Sequence, residues 1–296
     1  MKTALALTLI RLLGLLPLGA TARMGRLLGS MIWHLPSRRH SVIDANLRIA
    51  FPDGSELERQ RLHREHLIEM ARLVLESGAV WYWPEDRLCR HIRRVEGREH
   101  LERARAGDKG FLLVSGHLGN WEILNLWTSI EMPLVSLYKQ PSDRRLDPVI
   151  RRSRERFGAR LVASGSPAMR QILKQLRQGG GVGLMIDQQP KQGDGVFAPF
   201  FGRPALTMTL VHRLVRQTGC RVLLVHTHRL AEGRGWSIDI RPAPDDIADA
   251  DPQESIRCLH EWLEAAIRAC PAQYLWSYKR YSLQPAGAEP VYRSNR

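Results

Sequence analysis

Between Phe111 and Ala243 the chain alternates short apolar runs with stretches of helical periodicity, and this alternation limits the fold more than any single motif. The runs "FLLVSGH", "LVSLYKQ", "ARLVAS", "GVGLMIDQQ", "RVLLVHTHRL" and "WSIDIRPA" read as strands. Between and after them "WEILNLWTSI", "RLDPVIRRSRERFG", "PAMRQILKQLRQGG", "ALTMTLVHRLVRQTG" and "PQESIRCLHEWLEAAIRAC" read as helices, the third closed by glycines. Strands alternating with helices predict an α/β sheet. Upstream, apolar residues from Ser41 to Leu75 recur at about 3.6-residue spacing on either side of a "PDG" turn, giving a helical lead-in. No repeat or low-complexity segment interrupts the chain. The expected organisation is therefore an N-terminal segment, 1–33, followed by one domain, 34–296.

At 296 residues the chain is long enough to bury a sizeable core, so partners are set by its surface. Lys and Arg number 44 against 30 Asp and Glu, a formal net charge of +14, which favours acidic partners: nucleic acid, anionic membrane, phosphorylated substrates or an acidic protein. Nucleic acid is disfavoured, because no binding motif is visible and the arginines are not interleaved with stacking aromatics. Cys89, Cys220, Cys258 and Cys270 show no CxxC spacing, which points to a reducing compartment and gives no zinc signature. The stretch from Ala4 to Ala20 is almost wholly apolar, broken by Arg11, and predicts a membrane-associated segment that crosses with tilt or lies in the interface. Only Lys2 precedes it, whereas Arg23, Arg26, Arg38 and Arg39 follow, so the body is expected on the cytoplasmic face of the membrane. A signal peptide ending at "LGATA" and an amphipathic helix docked on the domain are the alternatives.

In such a sheet, functional residues gather where strands end. Three ends carry them: "SGHLGNWE" with His117 and Glu122, "YKQ" from Tyr138, and "DQQ" with Asp187 and Gln188. With His117 in the turn and Glu122 in the first turn of the following helix, the glutamate is expected to hold one imidazole nitrogen while the other acts as general base. Gly116 and Gly119 permit the turn, Asn120 caps the helix, and free amides at its start are expected to stabilise an anion. No nucleophile stands beside the pair, so it would activate a hydroxyl belonging to a substrate. Asp187 reads equally as a cap, and the basic run from Lys139 to Arg160 as a solvated helix face. His226 and His228 share a strand face but lack a third ligand, so neither a metal nor a cofactor is expected.

These residues resemble those of the lipid A biosynthesis acyltransferases, the lauroyl and myristoyl transferases, within the lysophospholipid acyltransferase superfamily. The superfamily mark, a histidine, four residues and then an acid, is met by "HLGNWE". It gains specificity from "SVIDANLRIAFPD", "YKQPSDRRLDPVIRRSRERFGARLV", "MIDQQPKQGDGVFAPFFGRPALT" and "PAQYLWSYKRY", which together cover nearly the whole chain. The resemblance implies a mixed, glycerolipid-acyltransferase-like sheet flanked by helices. It also implies acyl transfer from acyl carrier protein to a hydroxyl of a phosphorylated lipid A precursor at the inner membrane. His117 would be the base and Glu122 its orienter, with Tyr138, Arg154, Arg156, Asp187 and Gln188 binding substrate. Lys139 stands where the family often has arginine, which leaves the acceptor open. A glycerophospholipid or aminolipid acyltransferase is one alternative, and a non-enzymatic basic membrane-binding protein another.

Overall fold

The computed structural model describes residues 2–141, 143–163, 165–248 and 251–292. Five helices come first: α1 (Lys2–Leu13), α2 (Leu18–Trp33), α3 (Arg38–Ala50), α4 (Glu56–Tyr82) and α5 (Glu85–His91). The N-terminal apolar run is thus two helices, because Pro17 cannot continue the first and instead stands at the start of α2. Among the described residues no helix is long and apolar enough to cross a membrane. The long helix α4 starts where its sequence dictates. Ser55 accepts from the Glu58 amide and the Glu58 carboxylate reaches back to the Ser55 amide, a reciprocal cap.

The remainder runs β1 (Ile92–Glu96), α6 (Arg98–Arg105), β2 (Phe111–Ser115), α7 (Trp121–Glu131), β3 (Leu134–Tyr138), α8 (Asp147–Glu155), β4 (Arg160–Ala163) and α9 (Ser166–Arg177). It continues through β5 (Gly181–Met185), β6 (Gly195–Phe200), β7 (Arg203–Met208), α10 (Leu210–Thr218), β8 (Arg221–Arg229), β9 (Trp236–Pro242) and α11 (Pro252–Ala269). Seven strands form one sheet in the order β1-β9-β8-β2-β5-β3-β4, and β6 with β7 forms a separate hairpin. The large sheet is mixed: all neighbours are parallel except β8 and β9.

Alternation along the strands divides the core into two layers. Leu112, Val114, Val182 and Leu184 face Ile172 of α9, Leu214 of α10 and Leu259 of α11. Phe111, Leu113, Leu134 and Ile238 face Leu101 of α6 and Trp127 of α7. Both faces are covered, so the central strands read as continuous apolar runs.

Three strands, β1, β6 and β7, were not visible in the sequence. β1 lies in "IRRVE" at the sheet edge, where Arg93 and Arg94 are exposed and only Ile92 and Val95 pack inward, so it reads as part of a basic stretch. The stretch expected as one helix from Ala205 is β7 followed by α10. A two-residue turn with left-handed Phe201 (φ 49°) and Gly202 (φ 71°) folds it back on β6, and the right-handed strand twist favours that turn geometry.

Candidate active site

The strands β2, β5 and β3 are adjacent and parallel, so their carboxyl ends open on one side of the sheet. β3 and β4 separate β2 from β5 in sequence, yet β5 inserts between β2 and β3 in space. That reversal brings the turn after β2 against the residues after β5. His117 Nδ1 lies 2.7 Å from Asp187 Oδ1, and the His117 amide donates to Asp187 Oδ2 at 2.6 Å. One carboxylate therefore fixes both the backbone and the ring. An ionised carboxylate only accepts, so the His117 proton sits on Nδ1 and Nε2 carries the lone pair. Burial acts to raise the Asp187 pKa, but attraction to His117 and the bonds from it outweigh burial and hold the carboxyl below its ordinary value.

The turn is rigid. At Gly119 (φ 65°) an added Cβ would stand 1.9 Å from the Thr227 carbonyl oxygen, so only glycine fits. The His117, Leu118 and Gly119 amides donate to Asp187, the Gly116 carbonyl and the Gln273 carbonyl. The turn between strand and helix therefore leaves none of these three amides for an anion. Nor does Asn120 cap α7; its side-chain amide donates to Glu76, a buried carboxyl raised by burial. The Leu275 amide donates to the His117 carbonyl and Leu118 bridges Tyr274, so "QYL" near the C-terminus clamps the site from behind.

Glu122 does not hold His117. It receives two bonds from Arg154, Nε at 2.8 Å and Nη2 onto the other oxygen. The reason is geometric: Asp187 already occupies Nδ1, while α8 packs beside α7 and supplies a guanidinium to the glutamate. Burial acts to lower the Arg154 pKa, but Glu122 outweighs it and raises it. Tyr138 is buried at the end of β3, with the Arg151 and Arg154 guanidinium groups 5.8 and 5.7 Å from its ring centroid. Arg156 points elsewhere. It donates to the carbonyls of Val80, Trp81 and Trp83 at the end of α4, and burial lowers its pKa to about 10. The expectation that it meets substrate is thereby corrected to a structural role. Gln188 Nε2 lies 3.3 Å from His117 Nε2.

A cavity of about 670 Å³ opens at this point, lined by His117, Glu122, Tyr138, Arg154 and Gln188 together with Leu113, Leu124 and Leu134. It continues as a trough along β5. Leu113 and Ser136 flank Gly183 in register, and the absence of a side chain there leaves the middle strand low. Lys139 and Lys191 lie at its polar end. A base with a free lone pair, beside cations and above an apolar trough, can activate a hydroxyl next to an apolar chain. Asp187 stands at a strand end that the sequence marked, and there it contacts His117. Gln273 and the "QYL" clamp were missed, because their contacts are backbone bonds that leave no polar pattern in the sequence.

The fold and site are a mixed α/β sheet with a paired histidine and aspartate above an apolar trough. The chain belongs to the bacterial lipid A biosynthesis acyltransferase family, whose model matches residues 1–282, and it is an acyltransferase. It is 27% identical over 278 residues to the lipid A biosynthesis palmitoleoyltransferase of Escherichia coli strain K12, covering 94% of this chain and 90% of that protein. The lauroyltransferase of the same organism is 25% identical over 278 residues, with 94% and 90% covered. The phosphatidylinositol mannoside acyltransferase of Mycobacterium tuberculosis is 29% identical over 224 residues, covering 71% of this chain and 65% of that protein.

Proposed function

We propose that this protein transfers a fatty acyl chain from acyl carrier protein to a hydroxyl of a phosphorylated lipid A precursor, with His117 as general base held by Asp187. The observation that carries the reading is the Nδ1 contact with Asp187, which leaves Nε2 as a proton acceptor at the mouth of an apolar trough. The acceptor hydroxyl gives its proton to His117 Nε2 as its oxygen attacks the thioester carbonyl carbon. Asp187 stabilises the imidazolium formed. The tetrahedral intermediate collapses, the carbon–sulfur bond breaks, and the departing thiolate takes the proton from His117. The trough suits the acyl chain. Arg154, anchored by Glu122, and the lysines at the mouth suit acceptor phosphates or the phosphopantetheine arm.

The net charge of +14 accords with partners that are all acidic: carrier protein, phosphorylated lipid and anionic membrane. Residues 1–33 are the proposed membrane contact, without crossing. Leu5, Leu9, Leu12, Leu15, Leu27 and Met31 are exposed there, between 55% and 73%, beside Arg23 and Arg26. The body is then placed at the cytoplasmic face of the inner membrane, where acyl carrier protein is available.

The test combines purified protein, acyl carrier protein loaded with lauroyl, myristoyl or palmitoleoyl groups, and an acylated, phosphorylated glucosamine disaccharide, with products read by mass spectrometry. Transfer is expected, and Asp187→Asn is expected to lower kcat by about 10²-fold or more, because an amide can supply the wrong proton to Nδ1 and cannot stabilise the imidazolium. Glu122→Gln is expected to act mainly on KM. No transfer from any donor, or an Asp187→Asn enzyme as fast as the parent, would overturn the assignment. The mycobacterial relative supports a second acceptor class, a phosphatidylinositol mannoside, and the same assay with that lipid separates the two.

A further inference from the structure

We infer that the side-chain amide of Gln188 is the donor that stabilises the oxyanion formed during acyl transfer. The inference rests on the acyl-transfer reading above and names the group that the reading leaves without a partner. When the acceptor oxygen attacks the thioester carbon, the carbon–oxygen double bond opens and its oxygen becomes an anion two bonds from the oxygen that has just lost its proton to His117. A hydrogen-bond donor must therefore stand close to His117 Nε2, outside the sheet and inside the cavity.

The amides of the turn after β2 and of the residue after Gln188 do not qualify. Those of His117, Leu118 and Gly119 are each bonded within the protein, and the Gln189 amide donates to the Tyr278 hydroxyl at 2.9 Å. Arg154 uses Nε and Nη2 on Glu122. Gln188 lines the cavity, and its Nε2 is 3.3 Å from His117 Nε2. That distance also fixes which end of the amide faces the ring. With the His117 proton on Nδ1, Nε2 only accepts, so the facing group is the NH₂ with its two protons.

In the free protein this NH₂ rests against the lone pair of the base. When the acceptor hydroxyl takes that place, the amide is displaced by about the width of one atom, which is the offset between the attacking oxygen and the carbonyl oxygen of the thioester. The side chain sits one residue beyond Asp187, so the backbone that orients the base also places the oxyanion donor. Its neighbour Gln189 is fixed by its amide to Tyr278 and by its side-chain oxygen to the Leu283 amide, which steadies the segment without engaging Gln188.

The test uses the full chain with acyl-loaded carrier protein and the disaccharide acceptor, measuring kcat and KM across pH for the parent, Gln188→Met and Gln188→Glu. Both variants keep the length of the side chain, and Gln188→Met removes its donors. A single lost oxyanion donor is expected to lower the high-pH plateau of kcat about 10²- to 10³-fold, with either KM changed less than about 3-fold. If Gln188 merely shields the lone pair, its loss makes the imidazolium easier to form. The acid limb then moves to higher pH while the plateau stays within about 3-fold of the parent, and the inference falls. Melting temperatures establish that each variant is folded. Should Gln188→Met not fold, Gln188→Glu carries the same comparison, since an ionised carboxylate donates nothing and repels the anion. Absence of transfer by the parent protein, by contrast, removes the acyl-transfer reading itself.

Discussion

Tyr138 is 96% buried by its 4% relative exposure, lines the cavity, and its hydroxyl has no hydrogen-bond partner among the described residues. An orphaned buried donor costs about 1–3 kcal/mol, and a ligand oxygen would remove that cost. Tyr138→Phe is therefore expected to leave the melting temperature unchanged or higher, yet to raise KM for one substrate roughly 2- to 10-fold, the worth of one neutral hydrogen bond. Unchanged KM values for both substrates would leave the hydroxyl without a role. The same residue shows what a sequence reveals at this scale. Tyr138, His117 and Asp187 were each legible as polar groups where apolar runs stop, and all three line or support the site. Their pairing was not legible. Proximity along the chain favoured Glu122 for His117, five positions away, whereas the sheet order brings in Asp187 from seventy positions away and gives Glu122 to Arg154. A carboxylate's partner depends on strand order, and no local pattern encodes that order.

At the scale of elements, the arm and the turn that carries His117 meet through α4. The helix α2 buries Leu18, Thr21, Ala22, Gly25 and Gly29 on one face, the spacing of a helical stripe, and its glycines let two backbones approach. A Cβ on Gly29 would stand 2.4 Å from Ile68 Cα, and one on Gly25 2.4 Å from Arg72 Cγ. Arg72 bonds Glu69 at 2.7 Å, Glu69 receives Arg229 at 2.9 Å, and Arg229 donates to the Gly119 carbonyl at 2.8 Å. Gly29→Leu is expected to push α2 off α4, since overpacking against backbone costs about 1–3 kcal/mol. Limited proteolysis should then cut within residues 14–35 faster than in the parent, and a variant cut no faster would show that the helices separate at no cost. The run from Ala4 to Ala20 read as one segment although Pro17 divides it, and which face of α2 is buried was not readable either. Its exposed face carries Leu27, Leu28 and Met31, as apolar as a core face, so hydropathy alone points the helix both ways. The edge strand β1 hid for the opposite reason: its two exposed arginines equal its packed residues in number.

Across the whole molecule, burial of imidazoles makes stability depend on pH. Burial lowers His66 and His260 to about 3 and His226 to about 4, the last against the pull of Asp239. Each has an ordinary value of 6.5, so between that pH and its lowered value the unfolded chain binds a proton that the folded chain refuses. Stability contributed by the neutral ring is thus complete above pH 6.5 and is lost as pH falls through the window toward 4 and 3. Asp187 acts in the same direction at lower pH, because its depressed pKa withdraws stability as the carboxyl protonates. Glu76 acts in the opposite direction: burial raises its pKa, so its protonated form favours the fold as pH falls. Three imidazoles and one aspartate outweigh one glutamate. Each imidazole contributes a slope of at most about 1.4 kcal/mol per pH unit, so the sum is large beside a domain stability of about 5–15 kcal/mol. Urea unfolding at pH 7, 6, 5 and 4 is expected to give a falling midpoint with the steepest loss below pH 6.5, and His260→Gln should flatten that slope even while lowering stability at pH 7. His260 is the informative position because its Nδ1 faces the Pro199 carbonyl at 2.6 Å and its Nε2 lies 3.3 Å from Arg280, a cation that disfavours a second positive charge. A midpoint that stays level from pH 7 to 4, or an unchanged slope in His260→Gln, would mean that these rings take up protons in the fold as readily as in the unfolded chain.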